Sequence, residues 1–278
     1  MLVAVSSFAA EPQRLTRDGA LKIAPVFADS GREVIFATHE SPRHVSLVRL
    51  RIADGHTEPV DATIKAHQFD PDISADGRHL CFALSAGSPQ MILVVRDLEK
   101  KTEAQFKPQG ARSTVRGPKF TPDGRRVVFT LSAPGGQQIA SVDLKCQNLK
   151  KLTQSAGTNC WPAISSDGKR IAFCSSRQGS FNLYVMSSDG SKVRQLTKSA
   201  LRDMRPAWSP DGKRIAFTSV RDGNAEIYLI DADGSNLRRV TNHPDRDDYA
   251  VWHPDGKRLL VVAERMGDSD LYLIDVPQ

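Results

Sequence analysis

Carboxylates crowd into one short stretch, HPDRDDY (243–249), where Asp245, Asp247 and Asp248 run up to an aromatic, Tyr249. Asp203 and Arg205 stand where Asp247 and Tyr249 would fall 44 residues upstream, and Asn159 and Trp161 stand one such step further back. Earlier in the chain the same places hold Val115 and Gly117, Gln68 and Asp70, then Lys22 and Ala24. Clustered oxygens of this kind suit a hard cation such as calcium. Large aromatics beside an arginine suit burial against a partner, because they cover much area with few rotors. The acidic stretch lacks an EF-hand-like ligand ladder, so no cofactor is expected, calcium at this cluster being the one candidate. Asp70, Asn159, Trp161, Asp203, Arg205, Asp247 and Tyr249 are read as a partner-binding set. The plainer alternative is that they only solvate and cap loop ends.

Other chemistry finds little support. The chain has no G-x-S-x-G elbow, no glycine-rich phosphate loop and no H-E-x-x-H. HESPRH (39–44) comes near the last, but its histidines are five apart in a strand-connecting stretch, where no helix presents them to one metal. His67 and His243 alone fall near the acidic residues, too few for an acid–base or multi-histidine site. No catalytic residue and no metal ligand is assigned.

What must position these residues is a repeat. FADSGREVIF, ISADGRHLCF, FTPDGRRVVF, ISSDGKRIAF, WSPDGKRIAF and WHPDGKRLLV carry their glycines at 31, 77, 124, 168, 212 and 256, at intervals of 46, 47, 44, 44 and 44. A period of this size identifies a repeat architecture. Ser-Pro-Asp-Gly places proline at the second position of a type I turn and glycine where a left-handed φ is tolerated. Asp123, Asp167, Asp211 and Asp255 are therefore turn formers. Short alternating runs such as Ile215-Ala216-Phe217 flank the turn, and a second apolar run, EIYLIDADGSNLRRVT (226–241), brings another Asp-Gly turn. Four strands per unit and no helical period predict an all-β, six-bladed β-propeller of four-stranded antiparallel blades.

The ends do not fall at blade boundaries. DLYLIDVPQ (270–278) supplies a third strand and no fourth, while QRLT (13–16) matches RRVT (238–241). The N-terminal strand is expected to complete the last blade and close the ring, hiding edges otherwise open to pairing. Residues 11–278 form the propeller, and 1–10 are read as an N-terminal tail or signal remnant. The loops entering the innermost strands, which carry the candidate set, share one face with the loops joining second to third strands. The Asp-Gly turns lie opposite, where the Lys-Arg pairs read as a solvated face. Arg177, Arg221 and Arg265 recur with the period and are assigned to the frame.

The recurring P-x-W-S-P-D-G-K-x-I-A-F, followed by E-I-Y-x-x-D-A-D-G-S and L-T, resembles the Pro-Asp repeats of the TolB-type propellers, a branch of WD-like repeats, over residues 11–278. The resemblance implies the propeller fold and a bacterial cell-envelope setting. It fits a non-enzymatic, monomeric scaffold that binds a protein or peptide, an envelope lipoprotein being one candidate, with the periplasm as compartment and the cytoplasm as alternative. Similar repeats occur in propellers of prolyl-oligopeptidase-like enzymes and in some polysaccharide lyases. A metal-assisted lyase or hydrolase with its site in the channel, and an accessory propeller of a larger peptidase-like system, stay open beside it. The family's namesake carries an α/β domain ahead of its propeller, for which this chain has no room, so membership of its complex is not carried over.

Composition narrows the rest. Lys and Arg exceed Asp and Glu by 38 to 32 without dense clusters, so nucleic acid is not an expected partner. No run reaches the roughly 18–20 apolar residues of a membrane-spanning helix. Cys81, Cys146, Cys160 and Cys174 have no metal-ligand spacing. If Ser165 pairs with Lys169 across its turn, Cys160 and Cys174 fall opposite each other, either as buried thiols or as a strained cross-strand disulfide. Cys146, aligned with turn residue Gly234, is expected to be an exposed thiol.

Overall fold

A computed structural model describes residues 11–41, 44–85, 89–133 and 135–276. The expected tail or signal remnant, 1–10, lies outside them, as does part of HESPRH. Six blades follow one another around a central channel. Their innermost strands are Lys22–Ala28, Gln68–Ile73, Thr114–Phe120, Asn159–Ile164, Asp203–Trp208 and Asp247–Trp252. Blade 5 shows the plan: Asp203–Trp208, Arg214–Ser219, Glu226–Asp231 and Arg238–Arg239 pair antiparallel in that order. Blade 6 takes its fourth strand from the N-terminus, with Gln13 opposite Leu273 and Arg14 opposite Tyr272. Among the described residues the one helical element is a 3-10 turn, Asp29–Gly31, in the one repeat where a serine separates the aspartate from the glycine.

The repeated decapeptide builds this frame at its turns. In blade 5 the Gly212 N–H donates to the Ser209 carbonyl at 2.8 Å, and Gly212 has φ +67°. The Asp211 carboxylate accepts from the Ser209 hydroxyl at 2.6 Å and the Lys213 N–H at 3.0 Å. Those bonds, the Ser209 hydroxyl foremost, hold Asp211 below the usual carboxylate range.

Blades are joined by apolar burial. Phe36, Phe82, Phe129, Phe173 and Phe217 occupy one position in the second strands of blades 1–5 and are at most 2% exposed. Each contributes about 1.5–3 kcal/mol over an exposed side chain. The Nε1–H groups of Trp208 and Trp252 donate to the carbonyls of Ala163 and Ala207, each at 3.1 Å across a blade boundary. Arg170 lies 4.5 Å from the Trp208 ring and donates to the Gly212 carbonyl at 2.9 Å. One arginine of the supposedly solvated Lys-Arg pairs thus stitches blade 4 to blade 5, and Arg214 stacks on Trp252 in the same way.

The cysteines correct one expectation and refine another. Cys146 is buried in a cluster with Cys81, Val95 and Phe129. The glycines aligned with it point inward: a Cβ on Gly190 would meet the Leu152 carbonyl at 2.5 Å, and one on Gly234 the Leu196 carbonyl at 3.4 Å. Cys160 and Cys174 are register partners and are free thiols. Ser165 pairs with Arg170 rather than Lys169, and a bulge further along the strand restores the Cys160–Cys174 register. Burial pushes the Cys160 thiol up to about 12.

Candidate functional site

Each innermost strand breaks its register at the same place. The shifts fall between Ile23 and Val26, Phe69 and Asp72, Arg116 and Lys119, Cys160 and Ala163, Met204 and Ala207, and Asp248 and Val251. The first residue inside each shift is left-handed: Ala24 (φ +48°), Asp70 (+52°), Gly117 (+54°), Trp161 (+52°), Arg205 (+53°) and Tyr249 (+54°). A left-handed non-glycine residue costs about 1–2 kcal/mol. Five of the six precede a proline, which tolerates a ladder gap because it has no N–H to leave unpaired. The bulge turns these six residues, five of them with side chains, toward the channel, where they line a cavity of about 310 Å³ together with the residues that follow them.

This divides the candidate set. Asp70, Trp161, Arg205 and Tyr249 reach the cavity. Asn159, Asp203 and Asp247 do not line it, being at most 1% exposed. Their partners are the periodic arginines: Arg177 donates to Asn159 at 2.9 Å, Arg221 to both Asp203 oxygens at 2.9 and 2.8 Å, and Arg265 to Asp247 at 2.7 Å. Burial raises Asp247 above its ordinary value; Arg265 opposes the rise and Glu226 of blade 5 adds to it.

The corresponding position in blade 1 reverses the charge. Lys22, fully buried, donates to Asp18, to the Ser269 carbonyl at 3.1 Å and to Asp270 at 3.3 Å. Gln138 receives the amide of Asn159 at 3.0 Å across the next-but-two seam. At the seam of blades 1 and 2 the counterparts are Ser46 and Gln68, and the Gln68 Nε2 is buried with no partner.

Three adjacent blades carry the large side chains. The Arg205 guanidinium lies 5.0 Å from the Trp161 ring and 4.2 Å from the Tyr249 ring, a cation held between two aromatic faces. Its Nη1 donates to both oxygens of Asp248 at 3.0 Å, while its Nε is buried without a partner. Asp248 also accepts from Thr218 at 2.8 Å and Arg246 at 3.0 Å. Burial works against the charge of Arg205, but Asp248 and Tyr249, with a smaller contribution from Cys174, together outweigh it, and Arg205 ends above its ordinary value. Burial likewise raises the Tyr249 hydroxyl, with Asp248 and Asp70 adding to the effect and Arg205 and Arg116 opposing it.

Opposite the stack, blades 2 and 3 are tied by ion pairs. Asp70 accepts from Arg116 at 2.5 and 3.2 Å and from the Gly117 N–H at 3.0 Å. These contacts outweigh its burial and lower its pKa. Asp72 accepts from Lys119 at 2.9 Å and from the Phe120 N–H at 2.8 Å. Sequence reasoning missed Arg116, Asp72 and Lys119, and saw Asp248 only as part of an acidic cluster. The bulge residue upsets strict alternation, and the signal that exposes it is the proline repeated after the variable position.

The acidic stretch does not assemble an oxygen cage, since Asp245, Asp247 and Asp248 each face a different cationic or N–H partner. Among the described residues no group of three or more His, Cys, Asp or Glu side chains is placed to hold a metal ion. His67 accepts from the Val45 N–H at 3.1 Å, and His243 from the Asp245 N–H at 3.0 Å. Both cap loops.

Known proteins share this frame. Residues 101–205 match the family model described as TolB beta propeller domain, and residues 188–276 that described as Tricorn protease N-terminal beta propeller domain. A putative TolB from Agrobacterium tumefaciens is 24% identical over 95% of this chain and 93% of its own, with a TM-score of 0.73. TolB from Acinetobacter baumannii is 21% identical over 90% of this chain and 65% of its own, with a TM-score of 0.66. An oligogalacturonate lyase in complex with manganese is 16% identical over 95% and 93%, with a TM-score of 0.63. No curated protein sequence matches. The likenesses establish the TolB-like six-bladed fold, and because they span propellers of differing activity they leave the function open.

Proposed function

From the premise that this chain is a TolB-type six-bladed propeller, we propose that it is a non-enzymatic scaffold that binds a protein or peptide segment at the mouth of its central channel. The stack of Trp161, Arg205 and Tyr249 carries this reading. A repeated backbone bulge commits three neighbouring blades to displaying large side chains into one cavity, two of them rotor-poor aromatics, and strain retained at a site points to use. The wall beside the stack is apolar, with Pro162, Pro206, Ala207 and Val251 among its residues. The carboxylates that line the cavity, Asp70 and Asp72, are already paired, so an inserted segment gains apolar burial without stripping water from free carboxylates. The cell envelope, with the periplasm as compartment, is the setting proposed from the family likeness.

Affinity capture from an envelope fraction tests it, with the native chain as bait and a Trp161→Ala/Tyr249→Ala chain as control. A protein retained by the native bait and lost by the control supports the channel mouth. Equal retention by both baits would place binding elsewhere.

A further inference from the structure

The loops that lead into the innermost strands frame the cavity, and their charges are lopsided. Arg17, Lys65, Lys107, Arg112, Lys198 and Arg202 are exposed in these loops, and none forms an ion pair among the described residues. Lys65 donates only to the Ala62 carbonyl. The carboxylates of the same loops are all engaged: Asp18 by Lys22, Asp61 by Arg96, and Asp245 by His243 and the Met266 N–H. The second-to-third-strand loops on this face add Glu40, held by His44, and Asp222, held by Tyr228 and Arg239. Glu264 and Asp268, which form no ion pair among the described residues, flank the tip of the blade 6 hairpin, so the unpaired negative charge of these loops is confined to one sector. Within the cavity Arg205 is held by Asp248 through a single nitrogen.

Resting on the channel-mouth reading, we infer that the segment the mouth takes is acidic: an extended peptide with Asp or Glu residues flanking an apolar one. The apolar side chain enters beside the Trp161–Arg205–Tyr249 stack, and the flanking carboxylates meet the exposed rim. Rim charges of this kind steer encounter and weaken with salt, whereas buried aromatics set the residence time. A glycan is the poorer fit. Trp161 and Tyr249 each give a ring face to Arg205, the wall beside them is prolines, alanines and a valine, and the polar groups across the cavity are already engaged, Asp70 by Arg116 and Asp72 by Lys119.

The test pans a displayed library of random dodecapeptides on the full chain, with the folded Trp161→Ala/Tyr249→Ala chain as counter-selection. The expected result is enrichment of peptides rich in Asp and Glu. Synthetic copies should bind at least fivefold more weakly to a Lys198→Glu/Arg202→Glu chain, mainly through slower association, and more weakly as salt rises. Neutral or basic peptides that still need the aromatics would overturn the acidic inference and leave the mouth reading standing. Peptides indifferent to the aromatics, or no enrichment, would sink both. Displacement of the peptides by oligogalacturonate at lower concentration than by free peptide would reassign the rim to an acidic glycan and overturn the inference.

Discussion

The Thr16 hydroxyl donates to Asp270 at 2.6 Å, across 254 residues of sequence. The same bond is made within single blades by Thr153 to Gln138 at 2.7 Å, Thr197 to Asn182 at 3.3 Å and Thr241 to Glu226 at 2.5 Å. Each threonine hydroxyl also accepts from the third strand: Thr16 from the Leu271 N–H at 3.0 Å and Thr241 from the Ile227 N–H at 2.9 Å. The closing strand therefore reproduces the side-chain lock of an ordinary blade as well as its backbone pairing.

Replacing that lock should show its worth. Thr16→Val keeps the shape but leaves a buried carboxylate and an N–H each one partner short, at a cost of about 1–3 kcal/mol. Thr241→Val should cost a similar amount. Urea unfolding of both variants checks this, and a Thr16→Val effect near zero beside a normal Thr241→Val effect would mean the clasp adds nothing to stability.

Acid should loosen the closure. Burial opposes ionisation of Asp270, but Thr16, Arg14 and Lys22 outweigh it and lower its pKa. A depressed carboxylate gives stability that is present above the unfolded pKa of about 3.9 and lost as pH falls through the folded value. Asp70 acts in the same sense. Asp247, whose pKa is raised, acts in the opposite one, its burden relieved as it protonates. The expected profile falls below about pH 4, and Asp270→Asn should flatten that limb while lowering stability at neutral pH. Thermal melts across pH check both.

Arg205 and Asp248 should prove strongly coupled. Arg205→Ala strands a buried carboxylate, although Thr218 and Arg246 still reach it, so a loss of about 2–3 kcal/mol is expected, at or below the usual range for breaking a buried pair. Arg205→Met with Asp248→Leu should recover part of that loss. A double-mutant cycle measures the coupling, and additive losses would contradict the pairing described.

The seam of blades 1 and 2 offers a gain. Ser46 is too short to do for Gln68 what Gln138 does for Asn159. Ser46→Gln should satisfy the buried Gln68 amide and stabilise the fold by about 1 kcal/mol, raising Tm by about 2–4 °C. A fall in Tm would show that the seam has no room for the longer side chain.

The frame was legible in the sequence because its devices repeat: the Asp-Gly turns, the phenylalanine in the second strands of blades 1–5 and the QRLT segment that completes blade 6. The channel was legible only in part. A strand read by strict alternation puts Asp203 and Arg205 side by side at the mouth, but the left-handed residue after Met204 interrupts the alternation. Arg205 turns into the cavity, and Asp203 stays behind it with Arg221. Cys146 misled for a related reason, since the aligned glycines mark a tight approach to a neighbouring strand rather than an open turn. In both cases spacing located the residue and local backbone geometry decided which way it points.

The bulge gives all six blades the same outlet, so the backbone by itself cannot tell a bound segment which way to face. Turned by one blade about the channel axis, a ligand would meet the same curvature and the same prolines over most of the ring. The side chains remove that ambiguity: blades 4, 5 and 6 fill their outlets with Trp161, Arg205 and Tyr249, while blades 1 and 3 offer only the methyl of Ala24 and the bare Gly117. Bulk is therefore uneven around the ring. A segment that enters beside the stack has the small residues at its back, so one orientation is chosen by bulk before any polar contact is made.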